Sequence, residues 1–321
     1  MVKLSVKVDI GAESFQFPAD VDISSSWDML TDTARIVLPR GVRFITSDYI
    51  AGLDNLFKRG DAVKIYIGYD GDLVERFDGY LSGIRPGNRL EFLCEDAVYL
   101  MKQKSIESFS SPKITLEDLL GELSIDTIPF NVADGGINLG KFRIRNANAA
   151  EVLEELRKTY GLYSWAREGI LYCGFAYDPY DDPPTHIFEV GKNVIAFDDL
   201  RYYRDDDVKI KVKGVSLQPN NKKIEVEVGD ASGDLRTVFK YNVGAAELKK
   251  FAEAQLEELK FEGYRGHFDA FTTPRVRHGD KISFKNPFIP EQDGTYYVRK
   301  VVTRVGVKDD MQRIYLDRKI L

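Results

Sequence analysis

Apolar and polar residues alternate from the first positions of the chain. In "VKLSVKVDI" Val2, Leu4, Val6 and Val8 fall on one face, the period-two pattern of a half-buried strand. Thr33 to Leu38 is β-branched and apolar until Pro39 and Gly41 stop it. A short helical turn is expected between Ile45 and Phe57. In "RGDAVKIYIGYDGDLVERFDGYLSGI" Val63, Ile65 and Ile67 share a face, Tyr69 to Asp72 carries turn chemistry, and "DGYLSGI" returns as a strand before "RLEFLCEDA". Residues 1–105 therefore read almost wholly as strand.

The period changes over residues 106–190. Thr115 with Asp118 makes a capping box ahead of Leu116, Leu119, Leu120 and Leu123, whose spacing is helical. Asn148 caps a second helix with Glu151 at its third position and a stripe of Val152, Leu153, Leu156 and Tyr160, which Gly161 stops. "LYSWA", a Glu168-Gly169 turn and "ILYCGF" read as a hairpin, and the prolines of "AYDPYDDPP" end this small α/β unit. From 191 to 321 strands dominate again in "VIAFDDLRYY", "DVKIKVKGVSL", "KIEVEV", "VVTRVGV" and "RIYLDRKI", with a turn at Pro219-Asn220-Asn221. One helix interrupts them. Its buried face is Ala245, Leu248, Ala252, Leu256 and Leu259, and Gly263 terminates it.

The final strands echo the first ones. Gly60-Asp61 precedes Val63 and Ile65, and Gly279-Asp280 precedes Ile282 and Phe284 at the same offsets. Both copies then run to Asp-Gly followed by an aromatic residue, at Asp78-Gly79-Tyr80 and at Asp293-Gly294 with Tyr296 close behind. Three matched features in one order favour a duplicated β domain over chance turn chemistry. Two such units in one chain suit a ring in which copies alternate, so that three chains present six similar units.

The bulk numbers set limits. A chain of 321 residues suits two or three domains, and 43% hydrophobic with 30% charged residues is a soluble, globular balance. No apolar run reaches the roughly 20 residues that span a bilayer, and the N-terminus has no continuous apolar block of a signal peptide. Membrane insertion is not expected. Cys94 and Cys173 are read as buried, reduced thiols. A net charge of −6 argues against specific nucleic-acid binding. The lysine pairs in "NNKKIEVEV" and "ELKKF" read as solvated surface.

The order and spacing of "DISSSWDMLTDTARIVLPR", "FKRGDAVKIYIGYDGDLVERFDGYLSGI", "NANAAEVLEELRKTYGLYSWAREGILYCG", "NVIAFDDLRYYRDDDVKIKVKGVSL" and "RVRHGDKISFKNPFIPEQDGTYYVRKV" resemble the phage baseplate or tail hub proteins, also called late control protein D, relatives of the N-terminal part of VgrG spikes. The resemblance touches most of the chain and rests on strand patterns. It implies a mainly β chain with an α+β insertion: two tail-tube-like antiparallel β-barrels, 1–105 and 191–321, flanking a small α/β domain, 106–190. It also implies a homotrimer in the virion, assembled in the bacterial cytoplasm, that adapts the hexameric tail tube protein to a trimeric spike or tip protein, with a tape-measure protein as a further partner. The chain ends at Leu321 directly after the second barrel's strands, as a hub without a fused enzyme or spike would.

Chemistry is sparse. No Walker loop, dinucleotide fingerprint, HExxH or zinc-ligand cluster occurs, so no cofactor, metal site or catalytic residue is expected. His186, His267 and His278 read as turn or strand-edge residues. The acidic groups at Asp178, Asp181 and Asp182, at Asp198 and Asp199, and at Asp205 to Asp207 read as solvated loops, although paired carboxylates keep a cell-wall glycan hydrolase, or a carbohydrate-binding β protein, as alternatives. In "DDLRYYRDDD", Arg201, Tyr202, Tyr203 and Arg204 are of types enriched at interface centres and are the candidate subunit contact. Gly60, Asp61, Gly79, Gly279, Asp280 and Gly294 are the candidate repeated turn positions.

Overall fold

The first seven strands form one half of a large antiparallel layer in the computed structural model. It describes residues 3–16, 18–39, 56–125, 127–132, 137–177, 183–204, 207–218, 220, 222–307 and 309–320. The helical turn expected after Ile45, the cluster at Asp178, Asp181 and Asp182, Asp205 with Asp206, and the turn at Pro219-Asn220-Asn221 lie wholly or mostly outside the described residues. These first strands are β1 (Leu4–Ile10), β2 (Glu13–Gln16), β3 (Asp20–Ser26), β4 (Thr33–Pro39), β5 (Ala62–Tyr69), β6 (Asp72–Arg85) and β7 (Arg89–Glu95). Their inward positions alternate as the pattern predicts. Val8, Ile10, Phe15, Ile36, Val63, Ile65, Ile67, Leu81 and Phe92 are buried in one core. The hairpin between β5 and β6 turns on Asp70 and Gly71, both at positive φ, as a two-residue loop requires.

A second core follows. It is built from α1 (Val98–Gln103), β8 (Ser105–Thr115), α2 (Leu116–Leu123), β9 (Phe130–Val132), β10 (Asn138–Asn148), α3 (Ala149–Tyr160), β11 (Tyr163–Arg167) and β12 (Ile170–Gly174). α3 has the full capping box: Glu151 N–H donates to Asn148 Oδ1 at 2.9 Å, Asn148 N–H donates to Glu151 Oε2 at 2.8 Å, and Gly161 ends the helix at φ 68°. α2 has half a box. Asp118 N–H donates to Thr115 Oγ1 at 3.1 Å, and the Asp118 carboxylate accepts the Thr115 hydroxyl at 2.7 Å. One methylene shorter than glutamate, Asp118 takes the nearby hydroxyl. β8 was not anticipated from the sequence. It pairs with β10 through mostly polar residues, so it lacks an apolar alternation to read.

The remainder contains β13 (Thr185–Glu189), β14 (Val194–Ala196), β15 (Leu200–Tyr203), β16 (Ile210–Leu217), β17 (Lys223–Gly229), β18 (Asp234–Tyr241), α4 (Ala245–Leu259), β19 (Gly263–Ala270), β20 (Lys281–Lys285), β21 (Gly294–Gly306) and β22 (Asp310–Ile320). β16 to β18 form their own three-stranded sheet under α4, with Val212 and Ala252 fully buried between them. Ala245 is exposed rather than on the buried face, and the helix is capped by Lys260 N–H to Leu256 O. Gly263 opens β19 instead of ending α4. A side chain there would meet the Tyr296 hydroxyl at 2.7 Å, so packing demands the glycine.

The two expected barrels are not separate closed rings of strands. Among the described residues, 14 strands form one sheet, with the path β14-β19-β22-β21-β3-β4-β7-β6-β5-β1-β2 and with β13, β15 and β20 beside it. The core under β19 to β22, centred on Phe188, Phe268, Phe284 and Tyr296, is distinct from that under β1 to β7. β3 and β21 join them, residues 20–26 antiparallel to residues 300–306. Backbone pairing across the two units is a long-range contact that no local pattern encodes.

The echo is a structural repeat. Gly60 N–H donates to Leu81 O at 2.8 Å and Leu81 N–H to Asp61 O at 2.9 Å, while Gly279 N–H donates to Val298 O at 2.8 Å and Val298 N–H to Asp280 O at 2.9 Å. Each aspartate closes its own turn, Asp61 Oδ2 accepting from Lys58 N–H and Asp280 Oδ2 from Arg277 N–H, both at 2.8 Å. The next strand carries the same bulge. Leu81 faces Cys94 and Gly83 faces Leu93, as Val298 faces Leu316 and Lys300 faces Tyr315.

That register corrects the matching of the Asp-Gly steps. Tyr80 opposes Ala62 and Tyr297 opposes Lys281, so Gly79 corresponds to Tyr296, and Gly294 to Phe77. The turn hydrogen bonds, not the Asp-Gly steps, set the alignment. Gly79 is needed because a side chain would lie 2.2 Å from Glu95 O, and Gly294 because Tyr296 packs over it.

Gly60 and Gly279 share a left-handed conformation, φ 92° and 87°, but not an environment. A Cβ at Gly60 meets only the Tyr99 hydroxyl at 3.8 Å, whereas one at Gly279 lies 3.2 Å from the Trp27 ring and the Arg167 guanidinium. Gly60→Ala is expected to cost about 1 kcal/mol from backbone strain, and Gly279→Ala roughly 1 kcal/mol more from contact. Urea unfolding midpoints check the order, and equal losses at the two sites would refute it.

Candidate functional site

The place where the two β units and the helical segment meet concentrates the buried polar groups of the molecule. Trp27, just past β3, is the hub. Its ring sits edge-on to Tyr163 at 5.6 Å, Trp165 at 4.9 Å, Tyr177 at 5.6 Å and His278 at 4.7 Å. One side chain therefore touches the β11–β12 hairpin and the turn before β20. Arg299 on β21 reaches Asp28 with two contacts, at 2.8 and 3.2 Å, and Arg167 on β11 donates to the carbonyl of His278.

Beside Trp27 lies a cavity of about 140 Å³ lined by Ser25, Asp32, Arg76, Asp96, Arg275 and His278, among others. Burial pushes the Asp32 carboxyl up to about 6, against the hydrogen bonds it accepts. Asp96 is also raised, by burial and then by the charge of Asp32, although it accepts Asp32 N–H and Val98 N–H at 2.9 Å each. Arg76 and Arg275 are both pushed down to about 10, chiefly by burial and then by neighbouring arginines. Arg76 donates to the carbonyl of Thr272, tying β6 to the chain between β19 and β20. His278 is buried and lies well below the usual imidazole range through burial and the charges of Arg167 and Arg277. It lies on a turn, as the sequence suggested, but it is buried rather than solvated.

Ser25, His278 and Asp32 resemble a nucleophilic triad in composition only. The Ser25 hydroxyl is 2.5 Å from His278 Nδ1, and Asp32 Oδ1 is 3.9 Å from that same nitrogen. A proton relay needs the hydroxyl and the carboxylate on opposite ring nitrogens. Here both face one, and Nε2 has no hydrogen-bond partner among the described residues. What the arrangement does is hold three segments together through desolvated polar contacts.

The other residues singled out in the sequence are scattered. Arg201, Tyr202 and Tyr203 form most of β15, and Arg204 follows it. Arg201 and Arg204 are exposed, Tyr202 donates to Glu262 at 3.1 Å and crosses Tyr264 edge-on at 5.2 Å, and Tyr203 packs on the core beneath β16. His186 pairs with Asp280 at 3.0 Å and His267 with Asp199 at 3.1 Å. Cys94 and Cys173 are free and buried, and burial raises both thiols, to about 12 and about 11. Among the described residues no three metal-ligating side chains converge. The junction residues Trp27, Asp32, Arg76, Asp96 and Arg167 escaped sequence reading because they lie far apart in the chain and match no spaced motif.

An acid whose folded-state pKa lies above its unfolded value holds its proton more tightly when folded. Its contribution is present below about pH 4 and is lost as pH rises to about 6. The Asp32 side chain keeps 24% of its exposure, which moderates the effect. Asp32→Asn is therefore expected to gain on the wild type by roughly 1–3 kcal/mol as pH rises from 4 to 6. Denaturant unfolding at each pH measures this, and a pH-independent difference would refute it.

No family model and no curated protein matches the chain. Solved structures do. A tail protein from Neisseria meningitidis aligns over 99% of this chain and 97% of its own, at 18% identity and TM-score 0.64. A 43 kDa prophage tail protein from Shewanella oneidensis aligns over 98% of both chains, at 15% identity and TM-score 0.61. An Escherichia coli component of the type VI secretion system, described as structurally similar to bacteriophage T4 tail proteins, aligns over 98% of this chain and 77% of its own, at 10% identity and TM-score 0.62. The fold of this chain is the fold of these phage tail and type VI secretion proteins.

Proposed function

We propose that this chain is a non-enzymatic structural hub of a phage or phage-like tail, of the late control protein D kind, and that it works as a homotrimer. The observation that carries the reading is the repeated β unit, with matched turn hydrogen bonds and a matched bulge, joined edge to edge within one sheet. Residues 1–105 and 191–321 act as two tube-like units, and 106–190 as an insertion between them. Three chains supply six such units, so one face meets a hexameric tube while the threefold identity of the chains meets a trimeric spike or tip. Full-length similarity in fold to two tail proteins supports the tail setting, and similarity to a type VI secretion component supports a spike-bearing partner.

The subunit role needs rigidity more than chemistry, and the buried junction supplies it. Trp27 and the ion pairs around it hold the two units at one angle, which a ring of fixed geometry requires.

Light scattering over a concentration series is expected to give three times the 36.5 kDa chain mass, with six-lobed rings in negative-stain images. A chain that remains monomeric at every concentration, without rings, would refute the hub reading.

A further inference from the structure

The repeat assigns partners to two strand edges. Because Val298 corresponds to Leu81, residues Lys300, Val301 and Val302 of β21 correspond to Gly83, Ile84 and Arg85 of β6. In the first unit Leu93 faces Arg35 and Ala34 faces Ile23; in the second Tyr315 faces His267 and Gly266 faces Leu200. Arg201, Tyr202 and Tyr203 of β15 therefore correspond to Ser24, Ser25 and Ser26 of β3. Within the chain these equivalents are paired: Ser26 with Lys300, Ser25 with Val301, Ser24 with Val302.

Their counterparts are not. β6 outlasts β5, whose pairing stops at Ala62 with Tyr80, so on that flank Gly83 to Arg85 have no strand partner among the described residues. β15 pairs with β19 on one flank and with no other described strand. Unpaired N–H and C=O groups along a strand are a template for another chain. We propose that β6 of one copy pairs antiparallel with β15 of the next, Gly83 opposite Tyr203, Ile84 opposite Tyr202 and Arg85 opposite Arg201, repeating between chains the β3–β21 junction within the chain. The proposal rests on the ring reading above and gives it an interface.

Each chain carries one edge of either kind, so the contact is head-to-tail and closes only as a ring. Pro86 falls at the position of Thr303 and lacks the N–H that would lengthen the ladder, which limits it to a few pairs. At the other end Arg204 falls at the position of Trp27, whose N–H donates to Arg299 O at 3.2 Å, and this assigns the Arg204 N–H to Ser82 O of the neighbour. Tyr202 and Tyr203 lie at the centre, half-buried already and covered further by the new strand. The one unfavourable pair is Arg85 opposite Arg201. Glu91, 3.8 Å from Arg85, offsets part of it.

The β3–β21 pattern makes this Arg85–Arg201 pair a non-hydrogen-bonded one, the close kind of antiparallel pair, within disulfide reach. Both side chains are exposed, and the native thiols are buried. The test is the full-length chain with Arg85→Cys and Arg201→Cys together, oxidised with copper phenanthroline, beside light scattering of the unoxidised protein. Dimer and trimer bands that end at trimer and vanish with reductant, with no cross-linking in either single variant alone and only dimer when the two singles are mixed, would establish the pairing. A trimer by scattering without cross-linked bands would overturn the pairing and leave the ring reading intact. Bands from Arg85→Cys alone would overturn it in favour of a like-to-like edge. A monomer without bands would bring down both readings.

Discussion

Seven consecutive residue pairs between β3 and β21 hold the molecule in its form. Without that ladder the two β units would be tied only by side-chain contacts and by the covalent path through residues 96–184. With it, the sheet is continuous from β14 to β2, and the angle between the units is set by strand twist. Val305 illustrates the consequence: it belongs to the last part of the chain yet is buried in the core of the first.

The side chains around the ladder repeat its message on both faces. On one, Arg304, Asp22, Arg35, Glu91 and Arg85 alternate in sign across β21, β3, β4, β7 and β6, with contacts from 2.6 to 3.8 Å. Such half-exposed pairs add little individually and mainly select the register. On the other, Trp27, the half-buried Asp32 and the buried Asp96, Arg76 and His278 are largely desolvated, and a change of charge there is costly. A junction whose polar groups fit only one arrangement holds the two units in one relative position.

The two units have diverged where the repeat does not constrain them. β1 runs antiparallel to β5, whereas β13 runs parallel to β20. One continuous strand, β3, is matched by β14 and β15, which a turn at residues 197–199 separates. What stayed constant is the turn at Gly60 and Gly279 and the bulge that follows it, because positive φ, the aspartate closure and the two-for-one pairing depend on one another.

Much of this was legible in the residues themselves. Alternation located β1, β4, β5 to β7 and β20 to β22, the Asn148-Glu151 box located α3, and the Gly-Asp echo pointed to the repeat, because each is a local pattern of period or capping chemistry. Polar β8, the half-formed box at Thr115, and the true partners of Gly79 and Gly294 were not legible, since register is set across strands and not along them. The junction was invisible for the same reason. Trp27, Asp32, Arg76 and His278 gain their meaning only when residues separated by up to about 250 positions are brought within hydrogen-bond reach, and that meeting is decided by backbone pairing between distant strands.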